Sequence, residues 1–167
     1  MTVAVIVEPG TVQLRPWRAD DIERLGEAAV GISRDTLALR FGVPYPTIPD
    51  WYLARIAEGW ARGTWNAGVA ESEGRIVGWA EYGLGNDRDS AELAALVCDR
   101  HQGGGLGTRL VKEVAAVAKA AAVPVLYAQI QVGNRAARGA LHAALPSLRY
   151  TGVQDGQWHY AVWLSGI

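Results

Sequence analysis

Cys98-Asp99-Arg100-His101-Gln102-Gly103-Gly104-Gly105-Leu106-Gly107-Thr108 is the stretch whose reading decides the fold. Upstream, Leu93 to Cys98 is an unbroken apolar segment with the length of a buried strand. Downstream, Leu106, Leu110, Val114, Val117 and Ala121 recur at helical spacing. A strand therefore passes through a glycine-rich turn straight into a helix. Glycine allows positive φ and close approach of the backbone to a ligand, and the first N–H groups of the helix point outward at the positive end of its dipole. Such a junction holds an anion, most often a phosphate.

Spacing separates the motifs that begin this way. A Walker loop needs GxxxxGK[ST], and no Lys follows Gly107. A dinucleotide fingerprint needs GxGxxG, but counting from Gly103 the last position is Thr108, and from Gly105 it is Leu110. What fits is Gln102-x-x-Gly105-x-Gly107, an instance of Q/R-x-x-G-x-G/A. A tight turn with no ligand can carry the same six residues, so the flanking elements must decide.

Outward from the turn, Val12 to Arg15 reads as a first strand, with Asp20 or Asp21 as the N-cap of a helix bearing Ile22, Leu25, Ala28 and Ala29. A second helical piece starts at Ser33 or Asp35 and runs to Phe41. Pro44, Pro46 and Pro49 then forbid regular structure, and Asp50 caps a third helix with Leu53, Ile56, Ala57 and Trp60 inward. Trp65 to Ala70 and Arg75 to Leu84 flank Glu71-Ser72-Glu73-Gly74 as a hairpin. Past the glycine-loop helix, Pro124 opens a strand with Leu126, Ala128, Ile130 and Val132 on one face and Tyr127, Gln129 and Gln131 on the other. A helix follows over about Arg135 to Ala144, and two strands surround Asp155-Gly156, with Trp158, Tyr160, Val162 and Leu164 on one face.

A chain of 167 residues and 17.9 kDa, half of them hydrophobic, suits one compact α/β domain. Its net charge of -1 gives no basic field for nucleic acid. The single cysteine, Cys98, excludes an internal disulfide framework and a cysteine zinc site, and within an apolar strand it reads as an inert core residue. Together with the three scattered histidines this leaves no metal expected. Val3 to Val7 is too short for a membrane span and lacks the basic start of a signal peptide, and a reducing cytoplasm suits a chain with this one cysteine. The last residue, Ile167, lies close behind a strand, as it would in a domain cut from a longer protein.

Laid end to end, the order of elements and the Gln102-x-x-Gly105-x-Gly107 turn resemble the GNAT N-acetyltransferase superfamily. Asn134-x-x-Ala137 is similar to that superfamily's helix start after the fifth strand, although Asn134 could equally serve as a plain helix cap. The resemblance implies an α/β (α+β) fold over residues 11–167, with residues 1–10 as an N-terminal extension. Its central sheet would be mixed, mostly antiparallel and about seven-stranded, flanked by helices and splayed between the fourth and fifth strands. It implies acetyl-CoA as cosubstrate and no metal. Gln102, Gly103, Gly104, Gly105, Leu106, Gly107 and Thr108 would surround the pyrophosphate, Asn134 would meet the coenzyme, and N–H groups near Leu96, Val97 or Cys98 would face the thioester carbonyl.

Acyl transfer to an amine needs a polarised carbonyl, a base for the amine proton and exclusion of water. The resemblance places the base at Glu92, at the start of the central strand, with Glu81 in reserve and Asp99 as a turn residue. Where many family members carry a leaving-group Tyr, seven residues past the motif Asn, this chain has Leu141. Tyr127 or Tyr150 could supply a proton, or the thiolate could leave unprotonated, and no general acid is assigned. Ser33 to Phe41 resembles a segment of bacterial Pat-type protein lysine acetyltransferases, with Asp35 for Glu and Ala38 for Tyr as departures. That implies a lysine on a protein, such as an acyl-CoA synthetase, as acceptor. A small-molecule amine, or a non-catalytic acyl-CoA-sensing role, are the alternatives.

Overall fold

The computed structural model describes residues 10–165, so the expected N-terminal extension lies outside the described residues except for Gly10. The chain runs β1 (Gln13–Pro16), α1 (Asp21–Ala28), α2 (Arg34–Phe41), α3 (Asp50–Arg62), β2 (Trp65–Ser72), β3 (Arg75–Leu84), β4 (Ala91–Val97), α4 (Leu106–Ala120), β5 (Val125–Gln131), α5 (Arg135–Ala144), β6 (Arg149–Gln154) and β7 (Gln157–Trp163). The seven strands form one sheet in the order β1-β2-β3-β4-β5-β7-β6. All pairings are antiparallel except β4 with β5. The sequence-based fold is the one observed.

Strand alternation divides the apolar side chains between two cores. Ala80, Tyr82, Leu93 and Leu126 meet Leu110, Val114 and Ala118 of α4 and Leu141 of α5 on the far face. Trp79 and Leu96 meet Leu25 of α1, Leu37 of α2 and Ile56 of α3 on the near face. Each fully buried side chain of this size contributes about 1.5 to 3 kcal/mol. The helices α1 to α3 thus cover the β2–β4 part of the near face, and this places the N-terminal half of the chain beside the end of β4.

Local details depart from expectation where tertiary contacts outweigh pattern. Asp21 is no cap: it is the first residue of α1 and fully buried, accepting both Arg15 Nη groups at 2.7 and 2.8 Å and the Arg18 N–H at 2.7 Å. Asp50 is the first residue of α3, with Pro49 in the cap position. Ala57 and Trp60, expected inward, are exposed. Tyr52 is buried with Ile56 instead, because the Tyr52 hydroxyl finds polar partners under the helix. Ser33 does cap α2, its Oγ accepting the Thr36 N–H at 3.2 Å, and Gly42 ends that helix at φ +79°.

Candidate active site

The parallel strands β4 and β5 pair only at Ala91 with Leu126 and Glu92 with Tyr127. Beyond Glu92 they diverge and leave a backbone edge inside the sheet. The Cys98 N–H is committed to the Val77 carbonyl at 2.9 Å. Alternation along the strand therefore turns the backbone groups of Leu96 and Cys98 toward β3, and those of Ala95 and Val97 toward the gap. The Val97 carbonyl accepts Gln102 Nε2 at 2.9 Å, in keeping with that phase. Of the three residues expected to offer a donor, Val97 faces the opening, and Ala95 joins it. Cys98 is a core side chain whose thiol burial pushes up to about 11, which leaves it unreactive.

At the mouth of the gap, Gly103 and Gly105 have φ of +80° and +83°. A Cβ built on Gly103, Gly104 or Gly105 would meet nothing within 4 Å, so the turn is open to a ligand. Gly105 stands at the N-cap of α4 and no side chain caps that helix, leaving the first N–H groups of a fifteen-residue helix without a side-chain acceptor. Leu106 sends its side chain into the far core, and Gly107 faces α5, where a Cβ would stand in ordinary contact, 3.6 Å from Ala140 Cβ. A phosphate fits this cradle on backbone groups alone. Asn134 caps α5, its Oδ1 accepting the Ala137 N–H at 3.2 Å.

The turn is tied to α2. Asp99 Oδ1 accepts the Ser33 N–H at 3.1 Å and the Thr36 hydroxyl at 2.9 Å. Gln102 Nε2 donates to Thr36 Oγ1 at 3.2 Å as well as to Val97. Partial burial favours the protonated Asp99 carboxyl, but the bonds from Ser33 and Thr36 outweigh it and hold the group below its ordinary range. Asp99 is therefore an anchor, more than the turn residue expected. The partners lie over sixty positions apart, and no periodicity links them.

Between α2, α3 and the near face of the sheet lies a cleft lined by Arg40, Trp51, Tyr52, Arg55, Trp65, Glu81 and Glu92. Glu81 is only 7% exposed, and its oxygens are occupied. Oε2 accepts the Tyr52 hydroxyl and Trp79 Nε1, and Oε1 accepts Arg40 Nη2 at 3.3 Å. Burial, then the adjacent Glu81 charge, pushes the Tyr52 phenol well above its usual range, so it stays a donor. Burial works against the Arg40 charge, but Glu81 together with Tyr52 and Glu92 outweighs it, and the guanidinium lies 4.8 Å over the Phe41 ring. Glu92 projects from the same face into the cleft and is exposed. It is the carboxylate open to an incoming group.

Trp51 and Trp65 line this cleft, whereas Trp60 lies among exposed side chains of α3. Leu141, on the buried face of α5, offers no proton. The network of Arg40, Tyr52, Trp79 and Glu81 goes beyond the sequence-based expectations. A carboxylate alternating with Trp79 on an otherwise apolar strand is its one signal in the sequence. Among the described residues, no group of His, Cys, Asp and Glu could hold a metal ion, and no helix is long and apolar enough to cross a membrane.

A mixed sheet parted between its two parallel strands, with an open glycine turn and uncapped helix start at one end of the gap and an exposed carboxylate at the other, is the arrangement of an acyl-transfer scaffold. The profile of the family described as "Acetyltransferase (GNAT) family" matches residues 33–144, more than half of the chain, and the protein belongs to that family. Among solved structures, the GNAT domain of S. lividans PAT superposes with a TM-score of 0.81 at 25% identity, over 92% of this chain and 91% of that one. The yncA protein from Salmonella typhimurium, solved with its cofactor acetyl-CoA, gives 0.72 at 21% identity, over 93% and 95%. A spermidine N-acetyltransferase from Vibrio cholerae in complex with CoA and spermine gives 0.70 at 16%, over 92% and 96%. No curated protein sequence aligned significantly with the chain.

Proposed function

We propose that the protein transfers the acetyl group of acetyl-CoA to the ε-amine of lysine on a protein substrate, such as an acyl-CoA synthetase, in the cytoplasm. The carrying observation is the position of Glu92: it is the exposed carboxylate where the parted strands meet the cleft. The residues present fit the cosubstrate, because an open, uncapped helix start suits its pyrophosphate and the Val97 edge suits its amide-rich arm. Acetyl-CoA supplies the activated thioester carbonyl. The Ala95 N–H, the gap-facing donor nearer to Glu92, polarises that carbonyl while the Val97 edge holds the arm, a donor of this kind lowering a barrier by about 2.7 to 4 kcal/mol. A lysine amine has a reference pKa of about 10.4 and is almost wholly protonated at neutral pH, so Glu92 takes its proton, directly or through water.

Support for a protein-borne amine comes from the rim. Trp51 is 51% exposed and Arg55 is exposed, so the cleft opens onto a surface that can meet a folded partner. The likeness to the S. lividans PAT domain and the Ser33 to Phe41 segment point the same way. One observation favours a second reading, a small cationic amine: Trp51, Trp65 and Tyr52 converge with Glu81 and Glu92, which together could replace the hydration of an ammonium group. The test compares purified acyl-CoA synthetases and other lysine proteins with amino acids, polyamines and aminoglycosides at equal acetyl-CoA. A small amine turned over far more efficiently than every protein would replace the first reading with the second. Binding of acetyl-CoA without transfer to any amine would make the protein a sensor.

A further inference from the structure

Transfer of the acyl group expels a thiolate, and the position seven residues past Asn134 is the buried, aliphatic Leu141. The six tyrosines separate by face. Tyr82 and Tyr160 are buried in the far core. Tyr150 packs on Tyr160 with ring centroids 5.7 Å apart, and Tyr160 packs on His142 of α5 at 5.3 Å, so Tyr150 also belongs to the far side. Tyr52 gives its hydroxyl to Glu81. Tyr45 packs against Phe41 in the proline loop.

Tyr127 differs from all of these. It stands opposite Glu92 in the last parallel pair before the strands part, and paired residues project from the same face. Leu126, Ala128 and Ile130 enter the far core, while Gln131, in phase with Tyr127, donates to the Ala38 carbonyl of α2 at 2.7 Å on the near face. The Tyr127 side chain is 44% exposed, and its hydroxyl has no protein partner among the described residues. At about 3.3 Å per residue, Glu92 to Val97 measures about 16 Å, the span that an extended arm anchored at the glycine turn would cover to bring its thioester to this vertex.

We infer that Tyr127 is the acid that protonates the leaving sulfur; the inference rests on the acetyl-transfer reading above. Glu92 removes one proton from the ammonium and passes it to solvent. As the amine nitrogen bonds to the carbonyl carbon, the electron pair of the carbon–sulfur bond goes to sulfur, which takes the Tyr127 phenolic proton. The second proton shed by nitrogen returns through water to the Tyr127 oxygen. Amide, free thiol and one released proton account for all atoms and charges.

The experiment pairs Tyr127→Phe with Tyr150→Phe, each checked for folding by circular dichroism. With acetyl-CoA, Tyr127→Phe lowers kcat by about ten- to a hundredfold, within reach of a positioned acid, while KM for both substrates stays within a few-fold. Tyr150→Phe is unchanged. With the selenium analogue of acetyl-CoA, whose leaving selenolate needs no proton, the deficit shrinks. A readout independent of turnover is the ultraviolet titration of the thiol of CoA bound stoichiometrically. Loss of the Tyr127 hydrogen bond raises that thiol's apparent pKa by about one unit, a tenfold change in equilibrium. Normal kcat with an unshifted thiol overturns the assignment, as does a deficit that persists with the selenium ester and appears in the acceptor KM. If the wild type binds CoA but acetylates no amine, the transfer reading has failed, and the thiol titration alone decides whether Tyr127 faces the sulfur.

Discussion

Glu81 and Glu92 project from one face of the sheet on neighbouring strands, Glu81 opposite Ala94 and Glu92 opposite Gly83, and of these two cleft-lining carboxylates only Glu92 is exposed. Two carboxylates one diagonal step apart have been given different surroundings: one receives a phenol, an indole and a guanidinium, the other faces solvent. A carboxylate that already accepts three donors and is only 7% exposed leaves little room for a substrate proton. This division of roles separates the two candidate bases by chemistry.

Glu92→Gln is expected to lower turnover by about 10² to 10⁴ and to leave acetyl-CoA affinity within a few-fold, because an amide keeps the size but not the basicity. Glu81→Gln is expected to act mainly on stability, since it leaves the largely buried Arg40 charge uncompensated, a change that costs about 3 to 5 kcal/mol in comparable pairs. Steady-state kinetics beside urea denaturation of both variants makes the check. Near-normal turnover in Glu92→Gln would return the base to Glu81 or to water.

What is legible in the sequence follows from the range of each signal. The glycine turn, the helix of α5 from Arg135 to Ala144 and the hairpin expected at Glu71 to Gly74 are local, and spacing alone finds them, although β2 runs on to Ser72, two residues past the expected end at Ala70. The face of α3 departs from its apolar pattern because Tyr52, polar at one end, does not count among the inward residues by periodicity, although its hydroxyl pairs beneath the helix with Glu81 and Trp79. Asp21 has the composition of a cap but is drawn inward by Arg15, six residues earlier, and by Arg24. Asp99 reads as a turn residue because its partners, Ser33 and Thr36, are distant in sequence. Each departure is a polar side chain whose role is set by a contact that periodicity does not encode.

Asp21 carries a pH prediction. Burial alone would raise its pKa, but the bonds from Arg15 and from the Arg18 N–H, with the charges of Arg15 and Arg24, hold it below the usual carboxylate range. A depressed folded pKa gives stability that is present above the unfolded value of about 3.9 and is lost as pH falls through the lower folded value. Asp21→Asn should cost about 3 to 5 kcal/mol at neutral pH and should flatten the acid limb of the stability profile. Glu71, bonded to the same two arginines and likewise held low, leaves a smaller residual slope. Urea midpoints measured from neutral pH downward test this, and equal acid sensitivity in variant and wild type would refute it.

The glycine turn offers a direct test of the anion cradle. Gly105 lies at positive φ, so a side chain there adds backbone strain of about 1 to 2 kcal/mol and mixes two effects. Gly104 has no such φ, and a Cβ there meets nothing within 4 Å. Gly104→Glu should therefore fold normally while setting a carboxylate beside the site proposed for the pyrophosphate. Calorimetry should show acetyl-CoA affinity reduced by at least about a hundredfold, since several charge-assisted bonds of about 1.5 to 3 kcal/mol each converge there. Gly104→Ala is the control, expected to bind within a few-fold of wild type. Undiminished binding by a folded Gly104→Glu would move the site elsewhere.

Asp99 joins the two halves of the site. Its Oδ1 holds the Ser33 N–H and the Thr36 hydroxyl at the start of α2, while Arg40, near the end of the same helix, reaches Glu81 in the cleft. Asp99→Ala removes both acceptor contacts and leaves Gln102 alone to tie the turn to Thr36. Each exposed bond of this kind is worth about 0.5 to 1.5 kcal/mol, so acetyl-CoA affinity should weaken by about three- to tenfold, if the turn must be held to α2 in order to bind. Asp99→Asn keeps one carbonyl oxygen for the same two donors and should recover most of the loss. Because the carboxyl is held below its ordinary range, the difference in affinity between the wild type and the Asp99→Ala variant should be constant from neutral pH down to about 4 and should narrow only below it. Titration calorimetry with acetyl-CoA at several pH values, beside thermal melts, separates the outcomes. Wild-type affinity in Asp99→Ala, with only the melting temperature lowered, would show that the Asp99 anchor stabilises α2 without preparing the cofactor turn.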